Sequence, residues 1–152
     1  MKTYITLLSV TICLLFMGCS NNFAEDEYDS ADKIIEAEDR YSTEVLSGTN
    51  TDSGYSLTVS EFNGRETLWA DTLEESLSVT FDISYSFAGG KAKLVHIDPE
   101  GTVTTLMECT ADTSDENQVT KTILMASGKN RIKLVGFDVE TLEVTMSGTP
   151  NR

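Results

Sequence analysis

Few side chains in this 152-residue chain are suited to chemistry, and they are scattered. There is one histidine, His96, which excludes a histidine-rich metal site. Nothing has the spacing of a nucleophile elbow or a phosphate loop. His96 lies in an apolar run beside Asp98-Pro99-Glu100-Gly101, where a structural role is expected. Cys109 has few basic partners to lower its pKa and is expected to be a buried or idle thiol. Glu74 and Glu75 are neighbours, but the carboxylates of a glycoside hydrolase must face each other across a cleft. The expectation is a protein without catalytic activity.

Two constellations suggest binding. Asp112, Asp115 and Glu116 share one loop with Thr110, Thr113 and Asn117. These are oxygen donors of the kind calcium takes, although the spacing is not that of an EF-hand. Sugar binding needs exposed rings that stack on apolar sugar faces. Trp69 and Tyr55 are the candidates, with Tyr41, Phe62 and Tyr85 behind them; Tyr85 sits on an apolar parity and belongs to the core, and Trp69, in a short hairpin strand, is expected there as well, a sugar platform being the alternative for it. Lys91, Lys93, Lys129, Arg131 and Lys133 form the basic stretches. On adjacent strands they make a modest positive patch, suited to balancing nearby acids or meeting an anionic cell-wall polymer.

The charge balance limits the partners. Asp and Glu number 25 against 11 Lys and Arg, a net charge of −14. Nucleic acid is an unsuitable partner, because phosphate needs a basic footprint. Cysteine is sparse at three residues, Cys13, Cys19 and Cys109. If the first two are consumed at the N-terminus, no intrachain disulfide can form and the domain relies on its apolar core.

The elements that must position these residues fall into four stretches. Ile5 to Met17 is an apolar run, short of the ~20 residues that span a bilayer and suited to a signal-peptide core. It ends in Leu15-Phe16-Met17-Gly18-Cys19, which resembles the lipobox of bacterial lipoprotein precursors. Gly18 and Cys19 match that pattern; Phe16 departs from the usual leucine. The resemblance implies removal of residues 1–18, lipid on Cys19, and anchorage on the extracytoplasmic side of a membrane in the cell envelope. Residues 19–54 read as an acidic tether, with a helix from about Ser30 to Leu46 leaning toward a spacer, then a linker over 47–54.

From Tyr55 the apolar period becomes two. Leu77, Val79, Phe81, Ile83, Tyr85 and Phe87 alternate with Ser, Thr and Asp, predicting a long strand with one oily face. Its length suggests a bend, a bulge or a strand shared between sheets. Asn63-Gly64 predicts a hairpin with a return strand over 66–70. Gly89-Gly90 and the Asp98–Gly101 turn predict a meander of three strands. Adjacent Leu94 and Val95 suggest a strand covered on both faces. Further strands are expected over 118–126, 131–137 and 142–146, and a tail over 148–152. The sum is an all-β domain at 55–147: an antiparallel β-sandwich or jelly roll of about seven strands, with a small barrel as the alternative.

Lys91-Ala-Lys-Leu-Val-His-Ile-Asp-Pro-Glu-Gly-Thr-Val, with Gly128-Lys-Asn-Arg-Ile-Lys-Leu-Val-Gly136, is similar to small lipoproteins of Gram-positive gut bacteria. The Gly128–Leu134 run also resembles the late strand of jelly-roll carbohydrate-binding modules. Together these imply a lipid-anchored binding or interaction module. A carbohydrate-binding module is the first alternative, and a structural component of a surface assembly the second. The expected partners are a membrane, through Cys19, and a cell-surface glycan or protein.

Overall fold

The computed structural model describes residues 25–51, 54–110 and 117–151. The signal segment, Cys19 and the acidic loop of Asp112, Asp115 and Glu116 lie outside them. Two one-turn helices, α1 (Glu25–Tyr28) and α2 (Ala31–Ile34), precede eight strands. These are β1 (Arg40–Ser42), β2 (Val45–Thr51), β3 (Gly54–Leu73), β4 (Leu77–Ala88), β5 (Lys91–Ile97), β6 (Val103–Thr110), β7 (Gln118–Met125) and β8 (Gly128–Pro150). All pairings are antiparallel. The protein is an all-β sandwich.

The sandwich is built on one ribbon. β3, 20 residues long, and β8, 23 residues long, pair from Tyr55↔Met146 to Leu73↔Gly128. The ladder slips between Phe62 and Gly64. There Glu61 and Asp138 take positive φ, and the Asp138 N–H donates to Asn63 Oδ1 at 2.8 Å. Between Phe62 and Gly64 one residue of β3, Asn63, opposes two of β8, Phe137 and Asp138, and the extra residue bends the ribbon. Beyond the corner each arm joins different neighbours. The first sheet is β2, the start of β3, the end of β8, β4 and β7. The second is β1, the end of β3, the start of β8, β5 and β6.

Alternation then lines the interior. Val79, Phe81, Ile83 and Tyr85 of β4 pack with Leu57, Val59, Leu142 and Val144, and meet Leu94, Leu106 and Leu134 of the other sheet. The outer face of the first sheet is wet; Asp82, Ser84, Ser86, Glu143 and Thr145 are exposed. The outer face of the second sheet is covered. Tyr28 and Ile34 of the helices pack on Val95, Ile97 and Val135. β5 is therefore buried on both faces, as adjacent Leu94 and Val95 suggest.

Several expectations are corrected. The helix of about 30–46 is one turn. Ser30 does cap it, accepting from the Lys33 N–H at 3.4 Å. Past Ile35, however, the backbone is held down by Arg131, whose guanidinium donates to the carbonyls of Ile35 and Glu36 at 2.7 and 3.2 Å. The acidic segment is docked rather than a spacer. The linker of 47–54 is mostly strand β2, paired with β3 from Val45↔Ser60 onward, so the sheet begins before residue 55. Nor is the tail free of it: Pro150 pairs with Val79.

Asn63-Gly64 makes a bulge, not a hairpin, because a full-length partner strand lies alongside. Residues 131–137 and 142–146 are one strand for the same reason. The long strands shared between sheets are not β4 but its neighbour β8 and the β3 strand beyond it. The meander is also interrupted: β5 pairs with β6 and β8, so Gly89-Gly90 carries the chain from one sheet to the other.

That crossing needs glycine. Gly90 has φ +61°, and an added Cβ would overlap the carbonyls of Phe137 and Asp138. Gly90→Ala is expected to lower stability by at least about 1–2 kcal/mol from the left-handed backbone alone. The change should appear as a lower urea midpoint at unchanged slope; an unaltered midpoint would show that the crossing is not strained.

Candidate functional site

The bent ribbon opens like a wedge away from its corner. On the first sheet, Tyr55, Met146 and Pro150 face inward, flanked by Leu77, Val79 and Phe81 of β4. On the second, Leu68, Trp69, Leu73 and Ile132 face them. Between them lies a cleft of about 420 Å³. Two connectors tie the sheets on one side of this end. The Ser127 N–H donates to Ser76 Oγ at 3.1 Å, joining the β3–β4 and β7–β8 links.

The structure brings the two candidate rings, Trp69 and Tyr55, into one site. Trp69 is 36 % exposed. A bulge between Thr67 and Trp69 alters the local register and sets its ring opposite the Ile132 position. Tyr55 is half-buried against the core and lies over Gly48, where a Cβ would strike its hydroxyl. Burial, followed by the charge of Glu66, raises the Tyr55 phenol pKa. The Glu66 carboxyl is itself raised by burial and by Asp39. The other rings are elsewhere. Phe62 is fully buried at the corner, where Tyr41 stacks on it with centroids 5.8 Å apart. Tyr85 is core.

Of the remaining chemical candidates, His96 and Cys109 are engaged in buried contacts. His96 is buried and its Nε2 meets Asn130 Oδ1 at 2.9 Å. Asn130 Nδ2 donates to the carbonyls of Ala126 and Gly128, so the pair braces the β7–β8 turn. The Cys109 thiol is buried and pushed up to about 12 by desolvation, and it donates to the Ala92 carbonyl at 3.4 Å. Glu74 and Glu75 are exposed side by side. Among the described residues no group of His, Cys, Asp and Glu is placed to hold a metal ion. The calcium candidates Asp112, Asp115 and Glu116 are outside that set. No described helix is long and apolar enough to cross a membrane.

The basic patch is real but occupied. Lys93, 8 % exposed, reaches Asp29 at 3.0 Å and sits 4.1 Å over the Tyr28 ring. Lys91 meets Glu25 at 3.1 Å. Arg65, at 1 % exposure, is paired to Glu27 and Glu36. Lys133, fully buried, donates to the Glu36 carbonyl at 2.7 Å and to Asp39 Oδ1 at 2.8 Å. Residues 25–39 thus form an acidic strap over a cationic sheet face, and only Lys129 of the basic stretches is exposed. Arg65 has no basic neighbour in sequence to mark it, so its place in the patch emerges only from the β3–β8 register.

No protein-family model matches the chain, and no curated protein matches it. Solved structures do resemble it in shape. An adhesin domain of Lys-gingipain from Porphyromonas gingivalis W83 aligns at TM-score 0.43 and 12 % identity, over 82 % of this chain and 97 % of that one. A carbohydrate-binding module solved with β-1,4-galactotriose aligns at TM-score 0.43 and 13 % identity, over 87 % and 100 %. An arabinose-bound α-L-arabinofuranosidase aligns at TM-score 0.43 and 12 % identity, over 80 % of this chain but 24 % of its own length. At such scores the likeness carries no argument about what this chain binds.

The strap has a pH signature. Burial acts to raise the Asp39 carboxyl, but hydrogen bonds from Lys133 and Thr67 outweigh it and hold its pKa below the usual value. A depressed carboxyl stabilises the fold above its ordinary pKa and loses that contribution as pH falls through the folded value. Asp39→Ala should therefore flatten the acid limb of the stability–pH profile. It should also cost about 3 kcal/mol near neutrality, since it leaves Lys133 buried without its counter-ion. Chemical denaturation across pH checks both; an acid limb as steep as in the parent chain would contradict the assignment.

Proposed function

We propose that this protein is a non-catalytic binding module, held by lipid on Cys19 to the extracytoplasmic side of a membrane, that takes its ligand in the wedge between the two sheets. The observation carrying this reading is the meeting of Trp69 and Tyr55 in one 420 Å³ cleft. That volume falls in the ~300–1,000 Å³ range of small-ligand sites. The buried, structurally engaged state of His96 and Cys109 supports a site without catalysis.

The anchor fits the geometry. Glu25 meets Lys91, whose strand partner is Phe137, beside the ribbon corner. The described chain therefore enters the domain at Glu25 near the corner, with the wedge mouth at the opposite end. The second reading is a carbohydrate ligand, and the observation on its side is the partly exposed Trp69 indole. Rings of this kind stack on sugar faces.

Two measurements test the proposal. Trp69 is the only tryptophan, so intrinsic fluorescence reports on the cleft directly. A ligand panel spanning oligosaccharides, cell-wall polymers and apolar compounds should contain at least one class that shifts Trp69 emission saturably. Flat titrations throughout would defeat the binding-module reading. Separately, Cys19→Ala should move the protein from the membrane to the soluble fraction; unchanged membrane association would remove the anchor.

A further inference from the structure

We infer that the wedge selects an uncharged apolar ligand, an alkyl chain or a fused aromatic ring, and disfavours a sugar. This rests on the binding-module reading and specifies its ligand class.

The wall chemistry carries the inference. Leu68, Leu73 and Ile132 face Val79, Phe81 and Met146, and Met125 and Pro150 complete the lining. Among the described residues, Asn50 supplies the one polar side chain of the wall besides the phenol of Tyr55 and the indole of Trp69. A sugar entering such a site would bring several hydroxyls and find few partners. Each hydroxyl desolvated without a hydrogen bond costs about 1–3 kcal/mol, which outweighs a single ring stack of about 0.5–1.5 kcal/mol. An apolar group gains about 25 cal/mol for each Å² removed from water and brings no hydroxyl of its own that needs a partner.

Charge narrows the class further. Glu74 and Glu75, between the lining residues Leu73 and Leu77, are exposed at the mouth. The chain carries a net −14. A carboxylate or phosphate head would be repelled there, which disfavours fatty acids and phospholipids. Lys121, opposite Phe81 on β7, is a single cation on the neighbouring edge strand and does not reverse that balance. The wall is also partly open to water before any ligand arrives, because Trp69, Leu73 and Leu77 retain exposure.

The test uses residues 20–152, the chain the lipobox resemblance leaves after Cys19, which carry neither the apolar Ile5–Met17 run nor an acyl chain to fill the cleft. The probe is N-phenyl-1-naphthylamine, neutral, apolar and fluorescent when desolvated. Its emission is expected to rise saturably, with energy transfer from Trp69. Leu73→Asn and Leu77→Asn, at partly buried wall positions packed against the core, should each weaken probe binding by about tenfold or more in chains whose circular dichroism matches the parent, by setting an unpaired amide against the ligand. Leu124→Asn, on the outer face and 65 % exposed, should leave it unchanged.

Galactotriose and cellotriose should neither shift Trp69 emission nor displace the probe. If an oligosaccharide shifts Trp69 and the probe does not bind, the ligand class is wrong while the binding-module reading survives. If neither moves Trp69, the ligand class falls, and the binding-module reading falls with it when the cell-wall polymers of the panel are silent too. Probe binding that is equal in the Leu73→Asn, Leu77→Asn and parent chains would place the probe outside the wedge and overturn the inference.

Discussion

The structure depends on the continuous backbone pairing of β3 with β8. Two strands of 20 and 23 residues share one ladder, and that ladder bends once. Without the bend, the pair would belong to a single sheet with one oily face to cover. With it, each strand contributes to both sheets, and the two inner faces close on each other. The corner is specified by small features: positive φ at Glu61 and Asp138, and the Asn63 side chain accepting from the Asp138 N–H of the bulge opposite it. Everything else attaches to an arm of this ribbon. The wedge exists because two arms that diverge from a corner stay apart at their far ends.

A second constraint is electrostatic. The outer face of the second sheet carries Arg65, Lys93 and Lys133, nearly or fully removed from water. Cations in that position need partners, since an isolated buried charge is strongly unfavourable. The partners are the acids of residues 25–39, so the segment just before the sheet acts as counter-charge and cover at once. Tyr28 adds an apolar ring beneath Lys91 and Lys93, and its hydroxyl donates to Glu108 at 3.0 Å. The strap thereby makes the sandwich three-layered on one side. It also occupies the surface on which an anionic polymer would have to bind.

The site combines the two constraints. The strap holds one sheet from outside while the corner sets the angle between sheets, and the wedge between them is lined from both. Tyr55 and Trp69 belong to one strand but to opposite walls, which is possible only because that strand turns from one sheet into the other. Leu68, Leu73 and Leu77 complete the walls without any distinguishing local pattern; each reads as an ordinary strand residue until the arms are set against each other.

Period-two alternation over Leu77–Phe87 was enough, taken alone, to establish strands with one buried face, because side chains of a strand point alternately to opposite sides. The adjacent pair Leu94-Val95 likewise marked a strand covered on both faces. What covers the second face of β5, the fate of Asn63-Gly64, and the meeting of Trp69 with Tyr55 were decided by the tertiary structure. The reason is that each turns on a partner far away in the chain. A Gly-containing pair makes a hairpin or a bulge according to whether another strand runs past it, and an acidic stretch is tether or strap according to whether buried cations wait beneath it.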